Sequence, residues 1–109
     1  QAVILPELNE YEAMKTITLL DGGLGQEIQK RAGQPAHPLW SAKVMMEQPG
    51  IVRDVHRDFI KAGACVITTN NYTLTPSRLK RDGQPEWLQP LHRQALSIAR
   101  SAASEKEGV

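Results

Sequence analysis

Thr16-Ile17-Thr18-Leu19-Leu20-Asp21-Gly22-Gly23-Leu24-Gly25 is the stretch that decides the fold. Thr16 to Leu20 is a short β-rich run closed by Asp21 and glycines, the pattern of a buried strand. Leu24 to Ala32 then places Leu24 and Ile28 four apart, with Glu27 early and Lys30 and Arg31 late. That charge order complements a helix dipole, and Gly33 supplies the stop. A strand that enters a helix through a glycine turn is the first half of a βαβ unit.

The chain repeats this order downstream. After a Pro-rich loop from Gln34 to Leu39, Ser41 is placed to cap a short helix through Gln48, and Pro49 opens another. The second of these puts Ile51, Val52, Val55, Phe59 and Ile60 on one stripe and ends at Gly63. Ala64 to Thr69 is the second predicted strand. Its consecutive Cys65, Val66 and Ile67 suit a parallel strand covered on both faces. Asn70 to Pro76 reads as a polar loop and Ser77 to Arg81 as a helical turn stopped by Gly83. A last helix begins near Glu86 or Pro90 and runs to Glu105, with Leu88, Leu91, Ala95, Ile98, Ala99 and Ala102 inward. Alternation of this kind predicts parallel α/β construction. Two strands are too few to cover such a sheet, so the expectation is a truncated portion of a larger one, with exposed edges prone to aggregation.

Composition narrows the function classes. The 109 residues are 40% hydrophobic and carry a net charge of +1, without a basic run that would favour nucleic acid. No apolar stretch is long enough to span a bilayer, and Gln1 to Leu5 lacks the basic start of a signal peptide. Residues 1 to 13 show no periodicity and read as a leader or non-native extension ahead of Met14, leaving 14 to 109 as the folded part. The single Cys65 excludes an internal disulfide and fits a reducing, cytoplasmic setting.

Two segments carry the candidate chemistry. Asp21-Gly22-Gly23-Leu24-Gly25 has two readings: a tight βα turn with Asp21 as helix cap, or an anion cradle in which backbone N–H groups meet a carboxylate or phosphate. In the second, Asp21 accepts from an ammonium or hydroxyl group. Thr68-Thr69-Asn70-Asn71-Tyr72 ends the other strand in polar groups, and ligands of parallel α/β proteins gather at such ends. His56 is expected at a buried helix edge, bonding a loop carbonyl. Cys65 is expected as a small core hydrophobe, and Trp40 as packing between loop and helix layer. His37 and His92 stand alone, and no pair has zinc-ligand spacing.

LLDGGLGQEI at 19 to 28, PLWSAKV at 38 to 44, and Pro49 through VHRDFIKAGACVITTNNY at 55 to 72 together resemble the N-terminal part of the homocysteine S-methyltransferase family. The resemblance spans about residues 16 to 103. It implies the N-terminal portion, about two βα units, of a TIM (β/α)8 barrel. It further implies a full-length enzyme that moves a methyl group from a donor such as S-methylmethionine to zinc-bound homocysteine, giving methionine. Asp21 would contact the homocysteine amino group, Gly22 and Gly23 would shape the backbone around its amino-acid end, and Thr69 and Tyr72 would lie on the donor side. The family's zinc is held by cysteines of later strands, which this chain does not contain and Cys65 does not replace. Catalytic and metal residues are therefore expected to be absent here, and the fragment alone inactive. His37, Asn70-Asn71 and Thr73-Leu74 depart from the commoner family pattern and leave the donor open. The other readings are a non-catalytic remnant or partner-binding module, and the first domain of a cobalamin-dependent methionine synthase.

Overall fold

The computed structural model describes residues 17–109. The leader assigned to residues 1 to 13, and Thr16 of the first predicted strand, lie outside the described residues.

Helices dominate. Leu24–Ala32 forms α1, Ser41–Glu47 α2, Pro49–Lys61 α3 and Pro76–Asp82 α4; a 3₁₀ turn, Pro85–Trp87, leads into α5, Leu88–Ala103. α1 buries Leu24 and Ile28 and is closed by Gly33 in the left-handed region at φ 66°. That conformation is the one glycine adopts without steric cost. Pro49 opens α3 where its missing N–H has no helical acceptor to lose. Thr75 caps α4, its hydroxyl accepting from the Arg78 N–H at 3.3 Å.

α3 is the hub, packing on α1, α2 and α5. It contributes Val52, Val55 and Ile60 to the core. Ala95, Ala99 and Ala102 on the facing side of α5 are small enough to let two helix backbones approach closely. Ion pairs trim the outside. Arg31 of α1 reaches Glu27 at 3.1 Å and Asp58 of α3 at 2.7 Å, while Arg57 grips Glu105 at 2.7 Å. The Arg57 guanidinium holds the Glu105 carboxyl below its ordinary range.

The predicted strands form less than expected. Leu20 and Val66 make one isolated parallel bridge, supported by Asp21 N–H to Val66 O at 3.0 Å and Cys65 N–H to Leu19 O at 2.8 Å. The direction is the parallel one of a βαβ unit, but no ladder develops among the described residues. A short parallel pair without flanking strands gains too few hydrogen bonds to extend. Its side chains are correspondingly uncovered: Leu20 is 60% and Val66 47% exposed, and Cys65 is exposed rather than a core hydrophobe. The described chain is thus a helical layer with two extended segments in parallel contact, not a sheet covered on both faces.

Candidate functional site

The extended segments end side by side, and a side chain ties those ends together. The Asp21 carboxylate accepts from the Thr68 N–H at 2.7 Å and from the Thr68 hydroxyl at 3.0 Å. Asp21 is therefore not the cap of α1; that position is Gly23, with no side-chain cap bond. Gly22 has a separate reason to be glycine: a Cβ there would sit 2.9 Å from the Phe59 ring.

A second set of bonds fixes the loop before α2. Ser41 and Asn70 are both buried. The Ser41 hydroxyl donates to Asn70 Oδ1 at 2.6 Å, and Asn70 Nδ2 donates back to the Ser41 carbonyl at 3.0 Å. The Thr73 hydroxyl donates to the Leu39 carbonyl at 2.6 Å. Ser41 was expected to cap α2; its hydroxyl is committed to Asn70 instead, and Trp40 holds the cap position at φ 51°. That φ is rare for a residue with a bulky side chain. The Trp40 indole is 42% exposed rather than packed between layers.

α5 supports the third edge. His92 Nε2 lies 2.8 Å from the Leu74 carbonyl, which can only accept, so this nitrogen carries the proton. Nδ1 is then the acceptor for Asn71 Nδ2 at 3.0 Å, and Asn71 Oδ1 accepts from the Thr69 hydroxyl at 2.8 Å. Thr69 is oriented through a relay that begins on a distant helix. His37 turns inward on its own loop, Nδ1 accepting the Leu39 N–H at 3.1 Å.

These three anchorages enclose a cleft of about 590 Å³. Gly22, Gly23, Gly25 and Gln26 line one side, Trp40 and Ser41 another, and Thr68, Thr69, Asn70, Tyr72, Thr73 and Arg78 the third. Of the residues singled out from sequence, Gly22, Gly23, Thr69 and Tyr72 meet in this cleft, and Asp21 braces it from behind. Tyr72 is the most open of them, at 89% exposure. The amide end of α1 faces the same space, so it offers fixed partial positive charge to an anion.

A family model for homocysteine S-methyltransferase matches residues 18–108. The chain belongs to the homocysteine S-methyltransferase family. It is 41% identical over 70 residues to homocysteine S-methyltransferase from Escherichia coli (strain K12), an overlap of 64% of this chain and 23% of that protein. Selenocysteine methyltransferase of Astragalus bisulcatus is 38% identical over 85 residues, covering 77% of this chain and 25% of the relative. Homocysteine S-methyltransferase 2 of Arabidopsis thaliana is 29% identical over 102 residues, covering 86% and 31%. The chain thus spans about a quarter of the length of the relatives it matches. No solved structure gives a significant match.

Within this family member, the sequence reading missed Gln26, Asn70 as a buried anchor, Trp40 as a wall, and Arg78. The polar run after Val66 was the available signal for Asn70. Arg78 sits in an otherwise ordinary Ser-Arg-Leu-Lys-Arg helical stretch and carries no local signal. His56 departs from expectation in a different way. It is fully buried on α3, and neither ring nitrogen has a hydrogen-bond partner among the described residues. Burial pushes its pKa below the ordinary histidine value, opposed in part by the charge of Asp21. No helix of the described residues is long and apolar enough to cross a membrane.

Proposed function

We propose that this chain is the homocysteine-facing opening part of a homocysteine S-methyltransferase, about two βα units of a TIM barrel. In its whole form a methyl group passes from a sulfonium donor such as S-methylmethionine to homocysteine. The carbon–sulfur bond of the donor breaks, a new one forms on the homocysteine sulfur, and the thiol proton is released, leaving methionine and a neutral thioether. The observation that carries this reading is the cleft at the ends of two parallel segments, in a chain whose family match runs through both.

The chain's own residues serve binding and orientation. Gly22 and Gly23 bring backbone close to the amino-acid end of homocysteine, beside the amide end of α1. Asp21 adds negative charge near its ammonium group while it holds Thr68. Thr69 and Tyr72 form the donor side. Trp40 and Tyr72 both line the cleft, and aromatic faces attract a sulfonium cation through the ring quadrupole.

Zinc is the group this family would use to hold the thiolate. The cleft lining contains hydroxyls, amides, aromatic rings and one guanidinium, but no thiol, imidazole or carboxylate. The Cys65 thiol lies 3.6 Å from the Gly63 carbonyl, and no cluster of metal-binding side chains occurs among the described residues. These residues do not fit a zinc site.

A chimaera tests the proposal. This chain replaces the corresponding quarter of the Escherichia coli relative, and methionine formation from homocysteine and S-methyl-L-methionine is measured. Activity is expected from the chimaera and not from the 109-residue chain alone. A folded chimaera without activity, or methionine made by the isolated chain, overturns the reading.

A second reading has one observation in its favour. Ile17 at 65%, Leu19 at 50% and Leu20 at 60% exposure form an apolar run suited to a partner-binding module.

A further inference from the structure

Among the residues that line the cleft, Arg78 is the sole charged side chain. It stands on α4, immediately after the loop that supplies Thr69, Asn70, Tyr72 and Thr73. Its guanidinium makes one long hydrogen bond, from Nη1 to the Pro38 carbonyl at 3.4 Å. No carboxylate of the described residues pairs with it; Arg53, Arg93 and Arg100 are likewise without an acidic partner there, but they lie outside the cleft. A guanidinium has five N–H donors in a planar fork. Most of that capacity is unused by the described residues.

Charge balance makes this informative. The cleft receives positive charge from Arg78 and partial positive charge from the end of α1; its lining has no acidic group, and the Asp21 carboxylate behind it is engaged by two Thr68 donors. A ligand that is only a cation would be repelled by both. A ligand that also carries a carboxylate is attracted, and an Arg fork recognises that group in bidentate fashion. The aromatic walls then serve the cationic end of the same molecule.

We infer that Arg78 is a specificity-determining residue that binds a carboxylate of the methyl donor, restricting the cleft to carboxylate-bearing sulfonium compounds. This rests on the methyltransferase reading for what the ligand is, but not for the charge it must carry. The Trp40 and Tyr72 faces fall on the sulfonium side, and Arg78 holds the opposite end. The long bond to Pro38 is a resting contact that the carboxylate replaces.

The test is binding of two probes to the intact chain, followed by ¹H–¹⁵N spectra: S-methyl-L-methionine and its carboxamide. Wild-type protein is expected to prefer the carboxylate by about tenfold, as one charge-assisted fork implies. Arg78→Gln should abolish the preference, and Arg78→Lys should retain part of it because a point charge survives without the fork. Unchanged thermal unfolding of the variants shows that the fold is kept. Equal binding of both probes by wild-type protein, an unchanged preference in Arg78→Gln, or no binding of either probe overturns the assignment. Sulfonium binding that ignores Arg78 removes this inference and leaves the methyltransferase reading standing. An Arg78-dependent response to acetate as strong as that to S-methyl-L-methionine overturns the restriction to sulfonium compounds and reduces Arg78 to a general carboxylate contact.

Discussion

Replacing Asn70 with alanine should cost more than any other single change in the loops of the cleft. Asn70 is 4% and Ser41 9% exposed, so water does not compensate either side chain once the other is removed. Asn70→Ala deletes both members of the reciprocal pair, at 2.6 and 3.0 Å. Each bond contributes about 1 kcal/mol net, and the stranded Ser41 hydroxyl adds a desolvation penalty of about 1 kcal/mol or more. The expected loss is therefore about 3 kcal/mol, a large fraction of the ~5 kcal/mol at the low end of small-domain stability. Ser41→Ala removes one bond and should cost about 1–2 kcal/mol.

Urea unfolding followed by tryptophan fluorescence suits the measurement, because Trp40 adjoins Ser41 in the chain. The double variant Ser41→Ala/Asn70→Ala completes a cycle, and its loss should fall short of the sum of the singles by about 2 kcal/mol, because the hydroxyl bond is counted once and no hydroxyl is stranded. Two outcomes refute the reasoning: Asn70→Ala within about 0.5 kcal/mol of wild type, or strictly additive losses. Either would mean that the pair forms without supporting the loops.

Three further expectations concern single sites. Gly22→Ala drives a methyl group to within 2.9 Å of the Phe59 ring and should destabilise by about 1–3 kcal/mol, a loss that Gly22→Ala/Phe59→Leu partly recovers in urea midpoints. His56 is buried without a partner and its folded pKa lies below the unfolded value. Stability should thus be steady above about pH 6.5 and fall as pH drops through the folded pKa, and His56→Leu should flatten that acid limb in urea midpoints taken between about pH 7.5 and 5.5. Asp21→Asn puts an amide where two donors converge and should cost about 1 kcal/mol; it also removes the charge that favours protonated His56, so NMR titration of the His56 ring should move further down, and an upward move would contradict the assignment.

The helices were legible because their signals are local. Leu24–Ala32 carries its apolar spacing, its charge order and its Gly33 stop within ten or so residues, and it forms over the span read from sequence. The stripe on α3 holds for the same reason, with His56 taking a core position that hydropathy alone assigns to its edge. The strands were legible only in direction. Val66 and Leu20 pair in the parallel sense, but the extent of a ladder depends on neighbours that no window of sequence contains. The cleft was read by position rather than by partner: Gly22, Gly23, Thr69 and Tyr72 line it, while the long-range bonds that shape it join residues 18 to 47 positions apart.

That contrast bears on what holds the site together. A single backbone bridge cannot fix the relative height of two strand ends, yet Asp21 and Thr68 meet in paired bonds of 2.7 and 3.0 Å. Ser41 with Asn70, and Thr73 with the Leu39 carbonyl, do the same for the two loops. His92 extends the set to α5. The cleft is therefore cross-linked by side chains on helices and loops rather than templated by a sheet. Substitutions on the exposed strand faces, such as Leu20→Thr or Val66→Thr, should leave its geometry intact, whereas polar changes at Asp21, Asn70 or Thr73 should open it. The polar residues that look from sequence like ligand groups divide accordingly. Asp21, Asn70 and Thr73 hydrogen-bond within the protein, whereas Tyr72, Arg78 and the glycine turn that opens α1 line the cleft with polar capacity the protein itself does not fill.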